Sequence, residues 1–306
     1  MEEKSHNLFS WMQKFAIVAG TIALRHQRNV ANKGKVRYDL ADSKESAAGS
    51  AKTVVDEIIQ ELFLAHVSTR WPDLLINVEE DTPLVSLFKQ TSGRKKSSLA
   101  IHLDPIDGTL SYINGSKEFA IGLAISDTRN IFTHTVIYAP ALRKLYIASP
   151  ARRAVLSGSR IINTAPRKNP PCIIYEKRLL SERGRRKLQM LGFTFAPLQS
   201  SHLAIVNTSL GHAAAFLYGG SNPHDGMIPA AFAKTCGVLP STAKGELLCP
   251  DNLDVTRTGQ LVSFSRIPSL CYYACDKKTQ EKIRTILLQK ENLHEEYISR
   301  FAAYEK

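Results

Sequence analysis

Two aspartates three residues apart, in the run Asp104-Pro105-Ile106-Asp107-Gly108-Thr109, carry the strongest chemical signal in this chain. The stretch Ser98-Leu99-Ala100-Ile101-His102-Leu103 leads into them and reads as a buried strand. Carboxylates at a strand end suit a hard cation such as Mg²⁺, which takes oxygen ligands and keeps several waters. Pro105 fixes one backbone angle, so both carboxylates can converge from a stiff turn. Gly108 and Thr109 would open a helix, and free N–H groups at a helix start attract phosphate oxygens. A cation and a phosphate held at one turn imply phosphoryl chemistry. Alone, Asp-x-x-Asp-Gly also describes an acidic surface turn.

The neighbours narrow the choice. Glu79-Glu80-Asp81 follows the apolar run Leu74-Leu75-Ile76-Asn77-Val78. Lys52-Thr53-Val54-Val55-Asp56 opens a segment of helical period, and His224-Asp225 precedes Gly226-Met227-Ile228-Pro229-Ala230-Ala231. Carboxylates therefore recur at strand ends and helix starts, as a multi-cation site assembled from distant segments requires.

With Thr53-Val54-Val55-Asp56, Val78-Glu79-Glu80, Asp104 to Thr109 and His224-Asp225, the chain resembles the inositol monophosphatase superfamily of Mg²⁺-dependent, often lithium-sensitive phosphatases. That superfamily shares T-x-x-D, G-E-E, D-P-[IL]-D-G-T and W-D-x-A-A-G. The likeness covers roughly residues 10 to 270, and its central hexapeptide is intact. It implies an α+β or α/β chain, a layered αβαβα sandwich of the inositol monophosphatase/fructose-1,6-bisphosphatase type. It also implies two or three Mg²⁺ ions and a homodimer.

Residue by residue, the resemblance assigns one ion to Glu79, Asp104 and the main-chain carbonyl of Ile106, and a second to Asp104, Asp107 and Asp225. Thr109 and Glu79 would orient and help deprotonate the attacking water, with Asp56 behind them. The N–H groups of Gly108 and Thr109 would hold phosphate oxygens, and Ser200 and Asp225 would face the substrate. Rival readings stand beside these. Glu80 could take the place of Glu79, Asp56 could simply complement a helix dipole, and Ser200 could be an ordinary helix cap.

In its second half the chain departs from the pattern. His224 stands where the family has tryptophan, and Met227-Ile228-Pro229 where it has A-A-G; Pro229 is expected in the first turn of a helix following Asp225. Ala213-Ala214-Ala215-Phe216-Leu217-Tyr218-Gly219-Gly220 lacks the acids that contact ring hydroxyls in inositol monophosphatases. Leu110-Ser111-Tyr112-Ile113-Asn114-Gly115 resembles the bisphosphate nucleotidase and histidinol-phosphatase branches. The expected function is a Mg²⁺-dependent phosphomonoesterase of a small phosphorylated metabolite, inositol-monophosphatase-like, working by attack of a metal-activated water. The alternatives are 3′(2′),5′-bisphosphate nucleotidase or histidinol-phosphatase activity, and an impaired homologue that binds phosphates or RNA.

Forty Lys and Arg against 28 Asp and Glu leave a net charge of +12. Basic residues cluster at Arg94-Lys95-Lys96, Arg152-Arg153 and residues 183–187, without interleaved aromatics or a nucleic-acid-binding signature. A nucleic-acid partner is therefore not expected. A solvated basic surface and a field that speeds encounter with a phosphorylated anion remain the two readings. Five scattered cysteines with no CxxC pair read as buried reduced thiols. No apolar run approaches the ~20 residues of a membrane span. The start MEEKSHNLF lacks the basic and apolar parts of a signal peptide, so a cytoplasmic location without a membrane partner is expected.

The elements that must position these residues also show in the pattern. Leu8, Trp11, Met12, Phe15, Ala19 and Ile22 predict an amphipathic helix over residues 7–29. Residues 32–50 read as a mobile loop, which the resemblance implies would approach the site and help bind a further Mg²⁺ through Lys44 or its neighbours, and residues 52–69 as a second helix. Strands are expected at 119–125, 131–138, 144–148 and 154–156 in an antiparallel sheet. A polar stretch at 163–171 suggests a boundary between residues 1–162, an α+β domain with the Asp104 motif, and 163–306, an α/β domain that contributes Asp225 and the substrate pocket. In that second part, strands are expected at 172–175 and 213–217, and helices at 181–191, 201–210, after Asp225 and at 277–290.

Overall fold

In the structure, a computed structural model, the described residues are 2–31, 52–90, 97–127, 131–151, 153–158, 160–161, 171–176, 179–219, 223–242, 255–258, 260–264 and 270–295. The expected loop at 32–50 with Lys44, the basic triplet 94–96, Arg152 and residues 163–170 lie outside them.

The strands are β1 (Leu75–Val78), β2 (Leu99–Asp107), β3 (Ala120–Asp127), β4 (Phe132–Ala139), β5 (Lys144–Ala148), β6 (Arg153–Ser157), β7 (Arg160–Ile161), β8 (Cys172–Tyr175), β9 (Thr194–Pro197), β10 (Ala215–Gly219), β11 (Ser241–Thr242), β12 (Val255–Thr258), β13 (Leu261–Phe264) and β14 (Leu270–Ala274). The helices are α1 (Glu2–His26), α2 (Val54–Arg70), α3 (Pro83–Gln90), α4 (Thr109–Ile113), α5 (Glu182–Met190), α6 (Ser201–Ser209), α7 (Pro223–Met227), α8 (Ala230–Thr235) and α9 (Lys277–Leu287).

The strands form a nine-stranded sheet, in the order β12-β13-β1-β2-β3-β4-β5-β6-β7, and a five-stranded one, β11-β14-β10-β8-β9. Side-chain alternation along the strands explains the layers. Ile121, Leu123 and Ile125 of β3 pack with α1 and α2 in one cluster that includes Phe15 and Phe63. The intervening Ala120 and Ala124 face the other way, against Leu203 and Ala204 of α6 and residues of α8. In the second sheet Phe216 and Tyr218 point to this same middle layer, while Ala215 and Leu217 pack on Ile283 and Ile286 of α9. The result is the expected αβαβα sandwich: α1 and α2, the large sheet, α6 to α8, the small sheet, then α5 and α9.

Strands β12 and β13 were not anticipated; they leave the second half of the chain to extend the first sheet beside β1. The helix expected to follow Asp225 differs as well. Asp225 lies inside the short α7, and Pro229 is not in its first turn but at the N-cap of α8. A proline that cannot donate a backbone hydrogen bond divides the segment into two short helices. Cys172, Cys236 and Cys275 are free thiols, half-buried rather than buried. Among the described residues no helix is long and apolar enough to cross a membrane.

Helix α1 sits close to β4 because Gly20 has no side chain: a Cβ there would stand 2.5 Å from the Tyr138 ring and 2.7 Å from Pro140. A ring edge and a proline cannot swing aside. Gly20→Val should therefore cost about 1–3 kcal/mol by overpacking, measured as a lower denaturation midpoint with an unchanged slope.

Candidate metal centre

A regular strand would send Asp104 and Asp107 to opposite faces, because three residues is an odd step. The register of β2 on β3 resolves this. Asp104 pairs with Gly122 and Asp107 with Ala120, so three steps along β2 match two along β3. The extra residue at Pro105-Ile106 is a bulge that turns both carboxylates to the face shared with α6. Both are buried. Gly108 follows with a left-handed φ of 83°, and a Cβ there would stand 2.4 Å from the Gln199 carbonyl oxygen. Only glycine fits that turn, which starts α4 at Thr109. Tyr112 anchors α4 to the first helix by donating to the Ala23 carbonyl at 2.7 Å.

Thr53 and Asp56 form a capping box at the start of α2. The Thr53 hydroxyl accepts from the Val55 and Asp56 amides, and Asp56 Oδ2 accepts from the Thr53 amide at 2.9 Å and hydroxyl at 2.5 Å. Asp56 Oδ1 lies 3.4 Å from the Thr109 hydroxyl, which also stands 2.8 Å from the Ile106 carbonyl. Burial pushes Asp56 up to about 7, against the lowering effect of its Thr53 bonds and with further raising from Glu80 and Glu79.

The adjacent glutamates diverge. Glu80 is buried beside the Lys52 ammonium, 3.5 Å away, and its backbone is held by Gln60. Glu79 lies against Asp104. Burial first, then the charges of Glu79, Asp107 and Asp225, push Asp104 well above the usual carboxylate range. Neither Asp104 oxygen accepts a hydrogen bond from an N–H or hydroxyl; its polar neighbours are the Glu79 carboxyl, with which it can only share a proton, and His202 Nε2, 3.7 Å from Oδ2. Asp107 differs: it accepts from the Ser201 amide at 3.1 Å, the His202 amide at 2.9 Å and the Ser200 hydroxyl. Ser200 thus caps α6 and holds Asp107.

The structure brings Glu79, Asp104, Asp107 and Asp225 into one electrostatic cluster, with Thr109 and Asp56 paired beside it. Acids converging at a glycine turn, with Asp104 among them buried and without an N–H or hydroxyl donor, fit a divalent cation. His224, in the family's tryptophan position, is buried, and its carbonyl lies 3.1 Å from His202 Nε2. Two residues near the centre escaped sequence reasoning. Lys52 precedes the Thr53 motif without any pattern of its own, and His202 is a single histidine in an apolar helix. Its imidazole lies with Asp104 and Asp107 so that donor atoms of all three are within 4.8 Å of one another.

A profile described as the inositol monophosphatase family matches residues 10–285. This chain belongs to the inositol monophosphatase family. Among curated relatives, a Nus factor SuhB of Pseudomonas aeruginosa is 29% identical over 143 residues, 46% of this chain and 50% of that protein. A fructose-1,6-bisphosphatase of Pyrococcus furiosus is 25% identical over 136 residues, 44% of this chain and 48% of that protein. The chain spans about half the length of the curated relatives it matches. Among solved structures, an IMPase/NADP phosphatase complexed with Mg²⁺ and phosphate superposes with a TM-score of 0.70 at 16% identity, covering 96% of this chain and 98% of that one. An IMPase of Thermotoga maritima gives 0.68 at 16%, covering 96% and 99%. At this identity the structures speak for the family fold.

Asp56 makes stability depend on pH. Its folded value, about 7, lies above the ordinary 3.8, so its contribution is full below about pH 4 and is lost as pH rises through 7. Asparagine cannot ionise. In chelator-treated protein, Asp56→Asn should gain on the wild type as pH rises from 4 to 8. The gain is about 1.4 kcal/mol for each tenfold fall in proton concentration between the unfolded and folded pKa values. Denaturant curves at both pH values check this, and parallel losses in the two proteins would contradict it.

Proposed function

We propose that this chain is a divalent-cation-dependent phosphomonoesterase acting on a small phosphorylated metabolite, with inositol phosphates the first candidates. The observation that carries the reading is Asp104: buried, without an N–H or hydroxyl donor, and flanked by Glu79, Asp107 and Asp225 beside the Gly108-Thr109 turn. A bound divalent ion supplies charge neutralisation for the phosphoryl oxygens and lowers the pKa of a coordinated water. Glu79, Asp104, the Ile106 carbonyl, Asp107 and Asp225 are the residues that would hold such ions, Mg²⁺ in the first instance, two or three in number.

The remaining roles fall to this chain's own groups. Thr109 and Glu79 align the attacking water and draw off its proton. Asp56 holds the Thr109 hydroxyl in place. The N–H groups of Gly108 and Thr109 receive phosphate oxygens. Ser200 acts through Asp107, whose carboxylate it steadies, and Asp225 faces both ion and substrate. Hydrolysis of a phosphate ester depends mainly on such positioning and charge stabilisation around a loose transition state.

Bisphosphate nucleotides and histidinol phosphate are the alternative substrates, because Ala213-Ala214-Ala215 offers no acid to a ring hydroxyl. A second reading follows from the net charge of +12 and the relatives named Nus factor SuhB: binding of phosphates or RNA without turnover. Phosphate release from a panel of inositol phosphates, sugar bisphosphates, adenosine 3′,5′-bisphosphate and histidinol phosphate separates these. Asp104→Asn and Thr109→Ala should each lower kcat/KM on the best substrate by about 100-fold or more while the protein stays folded. Silence across the panel from folded wild type, with salt-dependent RNA binding, would favour the second reading.

A further inference from the structure

The helix that carries Asp225 draws little support from its own backbone. α7 has five residues, and its turn closes through a long bond, from the Ile228 amide to the His224 carbonyl at 3.4 Å. The next bond would need an amide at position 229, where proline has none, so the helical ladder stops there. Side chains from three other elements meet this segment instead. The Tyr273 hydroxyl of β14 donates to the Gly226 carbonyl at 2.9 Å, and the Thr135 hydroxyl of β4 to the Ile228 carbonyl at 2.7 Å. The His202 ring of α6 turns Nε2 to the His224 carbonyl at 3.1 Å, with Asp104 Oδ2 at 3.7 Å. The carbonyls at 224, 226 and 228 are thus each met by a side chain, one from each sheet and one from the layer between. All three donors are fully buried, where a hydrogen bond is stronger than in water. Tyr273 is itself fixed: its ring stacks with Tyr218, centroids 6.2 Å apart, and Tyr218 with Phe216 at 5.0 Å. Asp225 is half-buried, and its charge is among those that act on Asp104.

We propose that Tyr273 and Thr135 are positioning residues for Asp225: by holding the carbonyls of Gly226 and Ile228 from opposite sheets, they keep its carboxylate within reach of Asp104 and so set the cation affinity of the centre. A ligand already ordered before the ion arrives loses less freedom on binding it, so binding is tighter. The inference rests on the proposed function's reading of Asp225 as a ligand. It adds what holds that ligand in place on a helix interrupted by proline.

The test is calorimetric titration of the chelator-treated full chain with Mg²⁺, for wild type, Tyr273→Phe, Asp225→Asn and the two together, with Asp104→Asn as the reference for the centre. Phenylalanine keeps the stacked ring and removes only the hydroxyl. Tyr273→Phe should weaken Mg²⁺ binding by about three- to tenfold. Once Asp225 is already asparagine the same change should cost less than about twofold, because the bond then positions no ligand. A loss of equal size in both backgrounds would overturn the proposal, by showing that the hydroxyl serves the fold at large. Wild-type affinity in Tyr273→Phe, with Asp225→Asn and Asp104→Asn both weakened, would overturn it and leave the phosphatase reading standing. Binding that responds to Asp104→Asn but not to Asp225→Asn would overturn it by removing Asp225 from the ligands. Binding indifferent to Asp104→Asn would remove the cation site itself, and both readings with it. Thr135→Val, on the opposite sheet, goes through the same cycle with the same expected losses, and it decides the matter should Tyr273→Phe fail to fold.

Discussion

Carboxylates held side by side out of water repel one another, and the surroundings of this centre answer that repulsion group by group. The start of α6 gives two amides to Asp107. Lys52 stands against Glu80, and the α2 cap gives two donors to Asp56. Asp104 receives no such help. An uncompensated buried carboxylate is costly, so the one at the middle of the cluster marks where positive charge is wanted. The rest of the fold can be read as a frame that keeps these acids in place.

That frame depends on the bulge at Pro105-Ile106 and on the small residues facing it. Were β2 regular, Asp107 would enter the α1 and α2 layer among Ile121 and Leu123. With the bulge, Asp107 reaches the N-terminus of α6, and the backbone amides there are the donors a buried carboxylate needs. Ala120, Gly122 and Ala124 present a shallow surface on β3, which brings α6 close to the sheet. Close approach and the His202 ring over Gly122 are two consequences of one run of small side chains.

Part of the basic surface is paired where it is described. Arg185 and Arg186 of α5 pair with Glu182, and Arg183 reaches Glu291 at 3.8 Å. These are exposed pairs on the outermost layer, where each contributes little to stability. They lie on the helix that packs with α9, away from the α6 layer that meets the acids.

Much of the site was legible because its chemistry lies in contiguous runs. Thr53 to Asp56 is a capping box spelled in four residues, and Asp104 to Thr109 carries its own turn. Periodicity was enough for α1 and α2, which each bury one face, and apolar runs marked β1 to β6 of the large sheet, whose β2 and β3 are buried on both faces. The resemblance preferred Glu79 to Glu80, but both are glutamates after a strand and only the fold sets them apart, Lys52 standing against Glu80 and Asp104 against Glu79. The return of β12 and β13 to the first sheet depends on β1, more than a hundred residues away in the chain. By itself, then, the sequence determined the acids, the glycine turn and the layered class, because local backbone rules and side-chain period suffice for those. Tertiary structure alone decided that Ser200 serves Asp107 and that His202 joins the acids, because those contacts cross between layers and no local pattern encodes them.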